Sequence, residues 1–218
     1  MRGGFIQLFR LDGDDDGDDE SAPEPSRHSW FGPPEDELGA VVPLQLVVGR
    51  SEKGAVALRH ATVYSSGVTL DVMGLARGLS DAQANRVFHE QHLFEEDEEP
   101  SPAFLRIGLE LPGGERVSNL GGRRHRRRLL KPDVEPAGPV FIEHGGGGGQ
   151  SGGGRVSMNP GYWLWPLPKR GMIRVFCEWP LVEIPLSTAE LDGAALASAA
   201  ERAVPVWPPG LDLGRAGA

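Results

Sequence analysis

The chain reads as a mainly β protein: a two-sheet antiparallel, Ig-like (immunoglobulin-like) β-sandwich with one C-terminal α-helix and disordered insertions. Three observations predict it. Apolar, often β-branched residues alternate at period two over several stretches, short Gly/Ser turns join those stretches, and a single Ala-rich segment near the end changes the period.

In chain order, residues 1–28 carry "DGDDDGDDE", seven acids in nine positions with no apolar residue, which predicts a disordered acidic tail. The sandwich domain spans 29–207 and opens near "SWFGPP". "VVPLQLVVG" sets Leu44, Leu46 and Val48 on one face. "AVALRHATVY" sets Val56, Leu58, His60 and Thr62 against Ala57, Arg59, Ala61 and Val63, and "VTLDVMGLA" sets Val68, Leu70 and Val72 against Thr69, Asp71 and Met73. This is the pattern of an antiparallel meander.

Residues 78–101 interrupt it as a mobile insertion. Within them, Ser80 with Gln83 forms a capping-box pattern that allows a short helix. "AFLRIGLEL" resumes the alternation at Leu105, Ile107, Leu109 and Leu111, and "PGGERV" turns into another strand. A second mobile insertion spans 121–137, "PVFIEH" is a strand, and a third insertion covers 145–154. "GMIRVFCEWPLVEIP" alternates Ile173, Val175 and Cys177 with Met172, Arg174, Phe176 and Glu178. The Ala-rich "STAELDGAALASAAERAV" then reads as a helix capped by Ser187 and Glu190 and ended by Pro205, with a disordered tail over 208–218.

Composition narrows the function classes. The net charge of −9 disfavours general affinity for nucleic acid. The single Cys177 rules out an intramolecular disulfide and fits a reducing compartment. No apolar run approaches the length of a membrane span, so a soluble cytoplasmic protein without membrane contact is expected.

The run "HGGGGGQSGG", residues 144–153, satisfies three glycine motifs at once. An esterase elbow needs strand, turn and helix around its serine, and a hydrolase of that fold needs a histidine after it. Ser151 is followed by strand pattern, and none of His28, His60, His89, His92, His125 and His144 comes after it. A dinucleotide loop needs a helix immediately after it, and a P-loop needs a lysine that is absent here. The serine-hydrolase reading is therefore rejected. Ordering seven glycines carries a large entropy cost, so the run reads as a slack loop.

"HEQH", residues 89–92, with Glu95 or Glu96 one turn later, falls short of a zinc set; no metal and no cofactor is expected. "RRHRRR" places Arg123, Arg124, Arg126, Arg127 and Arg128 together, enough for weak polyanion contact, but no aromatic is interleaved to stack bases. His60 reads as a structural histidine, and Asp71, Glu110 and Glu178 as solvent-facing acids. The aromatics either plug the sandwich ends or form an exposed ledge of Trp163, Trp165 and Trp179 suited to a protein partner.

"NPGYWLWPLPKRGMIRVFCEWP" and "IPLSTAELDGAALASAAERAVPVWP" resemble an uncharacterised β-sandwich family of high-GC bacteria, which shares a YWLWPLP strand, a CEWP strand and a C-terminal ELD helix. The resemblance spans roughly residues 29–207 and implies the sandwich, but no activity, cofactor or site residue. The expected function is that of a non-enzymatic protein-interaction or scaffold module using the aromatic ledge. The alternatives are weak nucleic-acid binding through Arg123–Arg128, or an enzyme whose site the motifs do not reveal.

Overall fold

The computed structural model describes residues 28–90, 99–121 and 135–207. Two antiparallel sheets enclose one core. Five strands are ordered β2 (Ala40–Arg50), β3 (Gly54–Val63), β4 (Val68–Arg77), β8 (Arg155–Trp165) and β7 (Val140–Gly152). Four strands oppose them, ordered β10 (Ile184–Asp192), β9 (Met172–Trp179), β5 (Arg106–Glu110) and β6 (Arg116–Ser118). A two-residue ribbon pairs β1 (Glu37–Leu38) with β11 (Val204–Pro205). This is the expected pair of sheets. The Ig-like strand order is a finer claim, which a three-strand meander extended by a hairpin does not establish.

The alternation read from sequence accounts for most of the core. Val68, Leu70 and Val72 of β4, Ile107 and Leu109 of β5, and Ile173, Val175 and Cys177 of β9 are all buried in one cluster. β3 departs from the simple pattern. Its pairing slips between Leu58 and His60, opposite a slip in β2 between Pro43 and Leu46. An extra residue reverses the faces of every later position in its strand, so Val56 and Leu58 point inward before the bulge, and Ala61 and Val63 after it. His60 and Thr62 thus leave the face that strict alternation assigns them.

The described residues form two α-helices rather than one. α1 (Asp81–Glu90) is closed by the expected box: the Ser80 amide donates to Gln83 Oε1 at 2.9 Å, and the Gln83 amide to Ser80 Oγ at 3.3 Å. Ala84 and Val87 bury its inner face. The C-terminal helix, α2 (Gly193–Ala200), starts later than the Ser187/Glu190 box implies. Residues Ser187 to Asp192 instead pair with β9 from Cys177 to Met172. The helix begins only where that ladder ends, capped by Asp192 Oδ1 accepting from the Ala194 amide at 2.8 Å.

The glycine run is not a loop. It is the second half of β7, paired with β8 from Gly146 opposite Pro160 to Gly152 opposite Arg155. Gly153 and Gly154 form the two-residue turn, with φ of 58° and 70°, as a type I′ hairpin requires. Two further glycines are fixed by close neighbours. A Cβ on Gly149 would fall 2.2 Å from the Phe88 ring of α1, and one on Gly161, across the ladder, 2.7 Å from the His144 carbonyl. The entropy lost along the run is offset by the ladder, and at Gly149 and Gly161 the packing leaves no room for a side chain.

The expected acidic tail, the C-terminal tail over 208–218, and residues 91–98 and 122–134 of the two charged insertions lie outside the described residues. So do His92, Glu95, Glu96 and the cluster Arg123–Arg128.

Candidate functional site

The three tryptophans do not form a ledge. Trp179 belongs to the four-stranded sheet and points into the core, 0% exposed, with its indole N–H donating to the Ala103 carbonyl at 3.0 Å. Trp163 and Trp165 do share the outer face of the five-stranded sheet, as their spacing requires. The chain itself covers them. Trp163 is 0% exposed, its indole donates to the Ser29 carbonyl at 3.0 Å, and its ring meets Tyr64 edge-on at 5.9 Å. Trp30 packs edge-on against half-buried Trp165 at 5.9 Å, with Phe31, Val140 and Ile142 completing a small second core. An apolar row facing water is costly, and residues 29–31 remove it.

Farther along the same face lies a hollow of about 770 Å³. Cross-strand register builds its floor: Arg50 opposes Ala55, Ala55 opposes Leu75, Leu75 opposes Ser157, and Ser157 opposes Gln150. In the next row Arg77 opposes Arg155, and Arg155 opposes Gly152. The floor is therefore small or apolar, while the rim carries Arg50, Lys53, Arg77 and Arg155, with Glu52 as the sole acid among the described lining residues. Every one of these cations sits at or beside a strand end, where the β2–β3 and β7–β8 hairpins converge on the end of β4.

Electrostatic accounting separates the four. Lys53 is paired with Glu183, in the turn between β9 and β10. Arg77 donates from Nε to the Glu52 carbonyl at 2.6 Å, which anchors it without cancelling its charge. Among the described residues, Arg50, Arg77 and Arg155 are paired with no carboxylate. Ser151, Ser157 and Gln150 add neutral donors.

The outer face of the other sheet makes a useful contrast. A hollow of about 520 Å³ lies there over Gly108, between Phe176, Leu120 and Leu186. Its charges are already matched: Arg106 with Glu178, and both Arg116 and Arg174 with Glu110. Glu110 is buried beneath those guanidinium groups rather than solvent-facing, and the hydrogen bond from Arg116, reinforced by Arg174, holds its carboxyl below the usual range. Asp71 is likewise engaged by Arg59, with His60 Nδ1 at 3.8 Å.

Ser151, the hydroxyl of the glycine run, lines the basic hollow, but no imidazole does among the described residues. His144 lies seven residues back along β7, about 23 Å at the rise of a strand. Among the described residues no group of three potential metal ligands comes together. No described helix is long and apolar enough to cross a membrane.

Sequence reasoning missed the basic hollow because its cations come from three separate hairpin strands and never stand side by side. The signal available was positional: Arg50, Arg77 and Arg155 each mark the end or start of a predicted strand. No family model, curated protein or solved structure matches this chain.

Proposed function

We propose that this protein is a non-enzymatic interaction module that receives a carboxylate-rich segment of a protein partner in the basic hollow. The observation carrying this reading is the convergence of Arg50, Arg77 and Arg155, none paired with a carboxylate among the described residues, on a concave floor of Ala55, Leu75 and Ser157. A chain of net charge −9 that keeps three cations unneutralised in one concavity presents a local field opposite to its overall one. Guanidinium groups bind carboxylates in a bidentate fork, and neutral donors nearby can satisfy remaining lone pairs. A nucleic-acid ligand is less well served, since the described lining holds no aromatic on which a base could stack. A reducing cytoplasmic setting accords with Cys177, which is free and buried, its thiol pushed up to about 11 by burial.

The test is a fluorescence-anisotropy titration with a short labelled polyglutamate peptide, set beside a single-stranded RNA of similar charge, at low and at near-physiological salt. Binding of the peptide that weakens with salt and is lost in the R50Q/R155Q variant supports the reading. Absence of peptide binding at low salt, or RNA binding more tightly than the peptide, overturns it.

A further inference from the structure

We infer that the cross-strand pair Arg77 and Arg155 forms a phosphoryl subsite within the basic hollow, so that the acidic segment received there carries a phosphorylated serine or threonine. The inference rests on reading the hollow as the site of a carboxylate-rich partner segment, and it names the group that segment brings to the centre. Its support is a contrast in how the sheets pair their charges. Elsewhere in the described ladders, Arg and Lys that stand directly opposite a charged side chain meet an acid. Arg106 faces Glu178, Glu110 faces both Arg116 and Arg174, and Glu190 faces Arg174. Arg77 faces Arg155.

Partners in an antiparallel ladder hold their Cβ atoms about 4.5–5.5 Å apart, and like charges so placed repel. Both arginines are exposed, and neither is paired with a carboxylate among the described residues. A single carboxylate balances only one of the two. A phosphate monoester carries about 1.5–2 negative charges near neutrality on three acceptor oxygens, enough to engage both guanidinium groups at once. An RNA backbone carries one charge per phosphate and matches the pair less well.

Arg77 is set in place before any ligand arrives. Its Nε donates to the Glu52 carbonyl at 2.6 Å and its amide to the Lys53 carbonyl at 2.8 Å. The β2–β3 turn that supplies both carbonyls is itself fastened by Ser51, whose Oγ accepts from the Lys53 and Gly54 amides at 3.0 and 3.1 Å. Holding Nε leaves the two terminal amino groups to meet a phosphoryl oxygen. Ser157, two residues from Arg155 on the same face, and Gln150 opposite it add neutral donors beside the pair.

Arg50 stands apart from this pair. It opposes Ala55, which opposes Leu75, so its Cα lies two strands across and two residues along from Arg77, about 12 Å away. An extended chain covers that distance in about three or four residues. The segment that fits therefore carries its phosphoryl group at Arg77 and Arg155 and a carboxylate about three or four residues away at Arg50.

The experiment titrates the full chain with two labelled peptides of equal length and net charge. One carries a central phosphoserine among glutamates; the other replaces that phosphoserine and one neutral neighbour by glutamate. Anisotropy at low salt and about pH 7.5 compares wild type, R155Q and R50Q. Wild type is expected to favour the phosphopeptide by on the order of tenfold. R155Q should bring the two peptides within about threefold of each other, whereas R50Q should weaken both and keep the preference. Lowering the pH to about 5.5 protonates the phosphate, whose second pKa is about 6, and should shrink the wild-type preference. No imidazole lines the hollow among the described residues, so that change reads the ligand. Equal affinities in wild type, both lost in R50Q/R155Q, overturn the phosphoryl subsite while leaving the hollow as a carboxylate site. Binding of neither peptide overturns both readings. A preference that survives R155Q, or one unchanged by pH, also overturns the subsite. Inorganic phosphate competing as tightly as the phosphopeptide overturns the protein segment as its source.

Discussion

The two ends of one sheet face are treated in opposite ways. At one end Trp163, Trp165, Val140 and Ile142 point outward and residues 29–31 lie over them, tied by the Trp163–Ser29 hydrogen bond. At the other end the same strands β4, β8 and β7 point Leu75, Ser157 and Gln150 outward, ringed by arginine, with nothing among the described residues laid across them. The same two strands, β7 and β8, run between the two ends, with bulges in β7 between Glu143 and Gly148. What differs is side-chain size and charge, so an outward apolar row recruits a cover while a small-residue floor within a cationic rim remains an open concavity. Aromatic content alone pointed to the covered end as the docking surface; burial removes that role from it, and the proposed carboxylate site lies at the open end.

The largest expected effect breaks the covered end. W163A removes a completely buried indole and should destabilise by about 3–5 kcal/mol in urea unfolding, whereas W165A, half-buried, should cost clearly less. Equal small losses for both would mean that residues 29–31 do not seal that end.

The next sharpens the account of the glycine run. G161A forces a Cβ against the backbone carbonyls of His144 and Gly145, which cannot swing aside, and should cost about 1–3 kcal/mol. G152A meets open space at its strand position and should stay within about 0.5 kcal/mol of wild type by the same measurement. If both are neutral, the β7–β8 ladder is looser than its register implies.

The open end should respond differently. R50Q/R155Q is expected to change stability by no more than about 0.5 kcal/mol, since neither guanidinium is paired with a carboxylate among the described residues, while peptide binding falls away. Stability and binding falling together would assign these arginines to the fold.

The smallest effect concerns the matched charges of the other sheet. The Glu110 carboxyl is held low by Arg116 and Arg174, so its contribution is fully present above the usual carboxylate range and is lost as pH falls through its lowered native value. Thermal unfolding of E110Q should differ most from wild type near neutrality, and that difference should shrink on acidification. A gap independent of pH would contradict the ion-pair account.

Most of the strand content was legible because burial on one face imposes period two, and Val68, Leu70 and Val72 or Ile173, Val175 and Cys177 display it without interruption. The helix start was not, because Ser187 and Glu190 satisfy a local capping pattern while pairing with β9 holds them extended. The glycine run misled through composition, since nothing local reveals Phe88 waiting above Gly149. The β3 bulge and the basic hollow share one reason for escaping notice. Each is a property of neighbouring strands in register, and the arginines at 50, 77 and 155 become a cluster only after the strands that carry them are paired.

The most direct test of the open-end account is amide and indole chemical-shift mapping during titration of the full chain with polyglutamate. The account expects shifts confined to Arg50–Ala55, Leu75–Arg77 and Gln150–Ser157, with the indole signals of Trp163 and Trp179 unmoved. Shifts centred on those indoles, or on Gly108 and Phe176 of the opposite sheet with the arginine rim silent, would contradict it.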